Sequence, residues 1–174
     1  DGTEILNNEP TEQRRVISSD TSKKVRAILQ SVVDNGSGNN AQVIRVIKDA
    51  DGNTKEVKKY AAGGKTGTAQ KYEDDGKASR TRLIASFVGF IPADDPKYVC
   101  LITIDEPQVP VVYGSTVAAP WVGKIFTELV QYEGIQPEKD PATGTDVTVD
   151  YAVVPDYATN GSDGETAAYK IGHS

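Results

Sequence analysis

The chain has one cysteine, Cys100, one histidine, His173, and no methionine in its 174 residues. A single thiol excludes an internal disulfide, and a lone histidine near the C-terminus leaves no His/Cys set for a zinc site. The same shortage removes a Ser/His/Asp triad, because an imidazole in a terminal tail is badly placed to be held as a general base. Any nucleophilic chemistry must use another base. Long apolar runs are missing too: nothing approaches the roughly 20 residues that a membrane-spanning helix needs. Cations are outnumbered, with 19 Lys and Arg against 25 Asp and Glu and a net charge of -6. Scattered cations in an acidic chain lack the electrostatic footprint that a phosphate backbone demands, so no nucleic acid partner is expected. The first residue is Asp1, and we read the chain as a fragment of a longer protein.

What is present suffices for one domain, since 37% of the residues are hydrophobic. Residues 1–18 read as a polar lead-in. From Ser19 to Asn35, Val25, Ile28, Leu29, Val32 and Val33 recur at helical steps, with Ser19 or Asp20 as N-cap and Gly36 as stop. Alternation at Val43, Arg45 and Ile47, a turn at Asp51, Gly52 and Asn53, and a return through Val57 to Tyr60 predict a hairpin. Asp49, Asp51 and Asn53 have the opening spacing of an EF-hand. Thr54 replaces that loop's glycine and Tyr60 its closing glutamate, so the hairpin turn is the better reading. A glycine-rich strand follows, then a turn near Asp75 and Gly76, and two antiparallel strands over 83–91 and 98–104. A second helix runs from Pro120 to Tyr132, with Val122, Ile125, Phe126, Leu129 and Val130 as its apolar stripe. Cys100 reads as an inert thiol in an apolar strand. The fold class is α/β of the α+β kind, an antiparallel sheet of about five strands or fewer flanked by two helices.

The densest chemical signal is Gly63, Gly64, Lys65, Thr66, Gly67, Thr68, Ala69, Gln70. Such a strand offers an ammonium, two hydroxyls and free backbone N–H groups to an anionic or acyl substrate. The plain alternative is a glycine-rich strand edge with a solvated lysine. A phosphate-binding P-loop fails twice: Lys59 stands where its first glycine belongs, and the turn at 74–76 leaves no room for its helix.

Lys65, Thr66, Gly67, Thr68, Ala69, Gln70 resembles the third motif of the penicillin-binding transpeptidases. The flanks agree with the class B kind: Val32, Val33, Asn35, Gly36 upstream, then 85–92, Asp94 to Lys97, Tyr113, Gly114 and Ala118, Ala119, Pro120 downstream. The likeness runs over about 14–137. It implies that 1–137 is the C-terminal portion of a peptidoglycan D,D-transpeptidase domain, part of a β-lactamase/transpeptidase-like fold. The substrates it implies are stem peptides ending in D-Ala-D-Ala, with β-lactams as acylating mimics. It implies no cofactor and no metal. It further implies an extracytoplasmic position on the bacterial cytoplasmic membrane, a glycosyltransferase partner, and dependence on the missing N-terminal part of the same protein.

By that resemblance Lys65 and Thr68 are catalytic, and Lys65, Thr66, Gly67 and Thr68 bind substrate. Lys65 would supply positive potential to the substrate carboxylate, Thr66 and Thr68 would hydrogen-bond it, and the Thr68 N–H would complete an oxyanion hole. No serine in the chain has a lysine three residues later, so the family's nucleophile is absent and the chain alone is expected to be inactive. Ser37, Gly38, Asn39 imitates the family's second motif but lies too close to the Lys-Thr-Gly strand, and it reads as the turn after a helix. The alternative function is a noncatalytic cell-wall binding module that retains the strand. Residues 138–174 read as a linker; Val147, Val149 and Val153 to Asp156 resemble the opening of a PASTA module, and a disordered tail fits the same composition.

Overall fold

A computed structural model describes residues 12–140 and 142–147. The first helix, α1 (Ser19–Asn35), has the expected bounds, but its N-cap is Ser18 rather than Ser19 or Asp20. Ser18 Oγ accepts the Thr21 N–H at 3.0 Å, which satisfies one of the helix's free first-turn donors. At the other end the N–H groups of Gly36 and Gly38 both donate to Val32 O, at 3.1 and 3.0 Å, and close the helix into a tight turn. That turn continues as a single 3-10 helix, Asn39–Ala41.

Strands β1 (Val43–Lys48) and β2 (Thr54–Tyr60) form the expected hairpin, with Val46 opposite Val57. The Asp49 carboxylate accepts the N–H groups of Asp51 and Asn53 at 3.0 and 2.9 Å, and Gly52 takes the left-handed conformation at φ 83°. The acidic turn spends its oxygens on backbone donors, as an Asx turn does, rather than on a cation. Next come β3 (Gly63–Tyr72), β4 (Ala78–Ile91) and β5 (Tyr98–Asp105), all antiparallel in the order β3-β4-β5. The five strands therefore divide into a two-stranded and a three-stranded sheet instead of forming one, and β3 is an edge strand among the described residues. Two helices follow, the single turn α2 (Gly114–Val117) and α3 (Ala119–Tyr132) with Pro120 in its first turn.

Strand alternation gives the three-stranded sheet two unlike faces. On one, Ala85, Phe87 and Ile91 are buried with Val122, Phe126 and Val130 of α3. Gly89 sets how closely helix and sheet approach, because a Cβ there would lie 2.8 Å from Val122 Cγ1 and 3.0 Å from Phe126 Cε2. The core continues through Val33 of α1 to Val43 and Tyr60 of the hairpin. On the opposite face Val88, Val99 and Leu101 are 41%, 72% and 64% exposed, although Val88 pairs with Leu101 and Phe90 with Val99. The apolar stripe of α1 is also half uncovered: Val33 is buried, while Ile28 is 64% exposed.

After α3 the chain returns to β2. The Glu138 N–H donates to Lys59 O at 2.9 Å, the Lys59 N–H to Val147 O at 3.2 Å, and the Val147 N–H to Glu138 O at 2.7 Å. Ion pairs reinforce this contact: Lys59 Nζ lies 2.7 Å from Asp34 and 3.4 Å from Glu138, and Lys58 Nζ lies 2.7 Å from Asp146. Residues on both sides of the boundary expected at 137 thus pack against the domain. Of the PASTA-like opening, Val149 and Val153 to Asp156 lie outside the described residues. No described helix is long and apolar enough to cross a membrane.

Candidate active-site strand

The site grows from β3, whose first two glycines serve packing. A Cβ on Gly63 would lie 2.3 Å from the Phe90 ring, and one on Gly64 would lie 2.6 Å from the Phe87 ring. The two rings occupy the space that side chains would fill and hold the strand flat against β4. Gly67, opposite Ser86, is different: a Cβ there would meet a single side-chain atom, Ser86 Oγ at 2.7 Å, rather than a ring.

From this base Lys65, Thr66, Gly67 and Thr68 follow one another along an edge that is unpaired among the described residues. Lys65 and Gly67 alternate with Thr66 and Thr68 between the faces. The Lys65 side chain is exposed and its ammonium folds across the edge, with Nζ 3.0 Å from Thr66 Oγ1 and 3.2 Å from Thr66 O. No ion pair to Lys65 occurs among the described residues, so its charge is uncompensated. Thr68, also exposed, accepts the Gly114 N–H on Oγ1 at 3.4 Å.

Each threonine oxygen therefore accepts a hydrogen bond from a protein donor, Lys65 for Thr66 and Gly114 for Thr68. A hydroxyl has one proton and two lone pairs, so each still keeps its proton to donate. An exposed ammonium and two hydroxyls on one strand edge are groups that can donate to an anion such as a carboxylate.

Sequence reasoning passed over two neighbours of this edge. Ser37 stands in the turn after α1, as read, yet its Oγ lies 3.5 Å from Thr66 Oγ1. Gly114, noted only as part of a pattern, presses on the strand: a Cβ there would lie 2.1 Å from Ser86 O and 2.9 Å from Gly67 O. A glycine that no turn near it requires was the available signal.

Other charged groups in the sheet are structural. Lys71 Nζ bonds Asp105 and Glu106 at 2.8 and 2.7 Å, and Arg82 Nε bonds Glu106 at 3.0 Å, tying three strands together. The Lys71 ammonium, then the Arg82 guanidinium, hold the Glu106 carboxyl below its usual range. Cys100 is half-buried, and burial pushes its thiol up, which favours the protonated form.

The penicillin binding protein transpeptidase domain family matches residues 4–127. Stage V sporulation protein D of Bacillus subtilis is 42% identical over 131 residues, which are 75% of this chain and 18% of that protein. The peptidoglycan D,D-transpeptidase FtsI homolog of Chlorokybus atmophyticus is 36% identical over 126 residues, 72% of this chain and 16% of the relative. Among solved structures, the apo transpeptidase domain of Burkholderia pseudomallei penicillin-binding protein 3 aligns with TM-score 0.58 and 28% identity, covering 78% of this chain and 37% of its own. Penicillin-binding protein 3 of Mycobacterium tuberculosis, complexed with ampicillin, aligns with TM-score 0.57 and 26% identity, covering 83% of this chain and 31% of its own. The chain spans less than a fifth of the length of those two relatives. It belongs to the penicillin-binding protein transpeptidase domain family, of the class B kind.

Proposed function

We propose that this chain is the C-terminal portion of a peptidoglycan D,D-transpeptidase domain and supplies the strand that holds the substrate's terminal carboxylate. The observation that carries the reading is the β3 edge: the uncompensated Lys65 ammonium beside Thr66 and Thr68, whose oxygens already accept from Lys65 and Gly114. Lys65 raises the local positive potential, and the two hydroxyls donate to the carboxylate of a stem peptide ending in D-Ala-D-Ala. The Thr68 N–H contributes one oxyanion-hole donor; removing such a donor in comparable sites costs about 3 kcal/mol of barrier. β-Lactams enter as mimics of that dipeptide, a reading supported by the ampicillin complex of the Mycobacterium tuberculosis relative.

The nucleophile and its lysine base come from the preceding part of the same protein, because no serine here has a lysine three residues later. That part also covers the sheet face bearing Val88, Val99 and Leu101, which shares its side with Lys65. An apolar face beside a polar site is what a removed half-domain leaves behind. The intact protein then works outside the cytoplasmic membrane, where its substrate lies, alongside a glycosyltransferase. Only the sequence beyond 147 keeps the reading of a linker with a PASTA-like module or tail.

Labelling of the intact protein with a fluorescent penicillin tests this. The unsubstituted protein is expected to label and Lys65→Ala to label at least tenfold more slowly, a loss of about 1.4 kcal/mol of transition-state stabilisation. An intact protein that takes no label would favour the noncatalytic binding module instead.

A further inference from the structure

The segment between β5 and α3 enters the reading above only through Gly114, the point at which it reaches the substrate edge. The Gly114 N–H donates to Thr68 Oγ1 at 3.4 Å, a long bond that holds only while α2 lies flat on β3 and β4. Close seating is built in, since the position tolerates no Cβ against Ser86 O and Gly67 O. Something must keep the helix down. Asn40 Nδ2 donates to Ser115 O at 2.8 Å, a partly buried bond between positions 75 apart in sequence. Asn40 is well placed to act as a clamp, because the 3-10 helix carrying it is itself fixed. Its Ala41 side chain is buried in the core, and the Ala41 N–H donates to Gly38 O at 2.8 Å.

We propose that Asn40 is a positioning residue for Thr68. By seating α2 it keeps the Gly114 N–H on the Thr68 oxygen, so that the Thr68 hydroxyl proton faces the bound anion. Asn40 touches no substrate and acts through Ser115, Gly114 and Thr68 in turn. This rests on the reading of β3 as the carboxylate edge, although the contact itself can be examined without it.

In the 174-residue chain, Asn40→Ala should speed amide hydrogen exchange at Gly114 while β3–β4 amides keep their protection, which also establishes that the variant folds. Unchanged exchange at Gly114 would overturn the proposal whatever the protein's activity. In the intact protein, Asn40→Ala should slow penicillin acylation roughly three- to tenfold, the worth of one hydrogen bond. Asn40→Asp should do the same, since an acceptor would then face Ser115 O. The decisive measurement is the cycle with Thr68→Val: once the hydroxyl is gone, Asn40→Ala should cost nothing more. Two losses that simply multiply would mean that Asn40 acts elsewhere, and the proposal would fall. An unsubstituted protein that never acylates would sink the transpeptidase reading, leaving the Gly114 exchange result to decide this one.

Discussion

The ring of Phe87 fills the space that a side chain on Gly64 would need, with Phe87 Cζ 2.6 Å from the position of the missing Cβ. Phe87 is itself 1% exposed, so it cannot swing out to make room. Gly64→Ala should therefore behave as core overpacking and destabilise the fold by about 1 to 3 kcal/mol. Urea denaturation at constant m-value measures it. A change under about 0.5 kcal/mol would mean that the ring shifts freely and that this glycine is not a packing residue.

The uncovered sheet face makes a second expectation. Val99 and Leu101 are 72% and 64% exposed on neighbouring positions of one strand face, so this chain alone should bind an apolar dye or self-associate. Val99→Thr with Leu101→Thr should reduce dye binding while changing stability by no more than about 0.5 kcal/mol, as surface substitutions do. If the paired substitution unfolds the chain, the face is already covered in solution and the proposed half-domain contact is misplaced.

Much of this architecture is legible locally and some is not. The bounds of α1 follow from a polar cap, a 3.6-residue apolar repeat and a terminal glycine, and all three signals act within the helix. The first residues of β4, with Ser79, Arg80, Thr81 and Arg82, carry no apolar alternation; they bulge between the Tyr72–Ala78 and Gln70–Leu83 pairs, where Ser79 Oγ accepts the Thr81 and Arg82 N–H groups and Arg82 bonds Glu106. The division into two sheets is a matter of which edges meet, and no pattern inside a strand encodes that. Lys65, Thr66 and Thr68 were visible because they stand together in one short run of the chain. Asn40 and Gly114 were not, because their roles exist only once distant segments are packed together.

Stability should depend on pH in two separate windows. The Glu106 carboxyl is held below its ordinary 4.5 by Lys71 and then Arg82, and the Asp146 carboxyl below its ordinary 3.8 by Lys139 and then Lys58. Unfolding returns both to ordinary values, so the unfolded chain takes up the protons first as pH falls. Their contribution is complete above about pH 4.5 and fades as pH drops through the lower folded values. Lys59 has the opposite sign. Burial works against its ammonium, but Asp34 and Glu138 outweigh that and raise it above 10.5, so its contribution is lost as pH rises through the folded value. Urea midpoints against pH should flatten at the acid end in Glu106→Gln and at the alkaline end in Lys59→Met. A variant that left its own window unchanged would remove that ion pair from the account.

The chain alone should form no covalent adduct with benzylpenicillin. It carries the Lys65 to Thr68 strand but holds no serine followed three residues later by lysine. Intact-mass spectrometry after incubation should return the unmodified mass. A stoichiometric penicilloyl adduct would reveal a nucleophile outside the family's motif, with exposed Ser37 beside Thr66 the first to replace by alanine.

The three polar side chains of the edge should separate kinetically in the intact protein. Lys65→Ala removes a cation aimed at charge that persists from bound substrate to tetrahedral intermediate, so it should cut the acylation rate constant more than it weakens noncovalent binding. Thr66→Val removes one hydroxyl donor to a carboxylate, a bond worth about 1.5 to 3 kcal/mol, and it also removes the acceptor that gathers the Lys65 ammonium. Its loss should therefore fall on binding first and on the rate second. Thr68→Val spares the backbone N–H that would polarise the scissile carbonyl, so its cost should be confined to the side chain and resemble a single lost hydrogen bond. Stopped-flow acylation, which resolves the dissociation constant from the rate constant, distinguishes these patterns. Equal, small losses in all three would make the strand scaffolding; a dominant rate loss in Lys65→Ala alone would tie the ammonium to the developing negative charge.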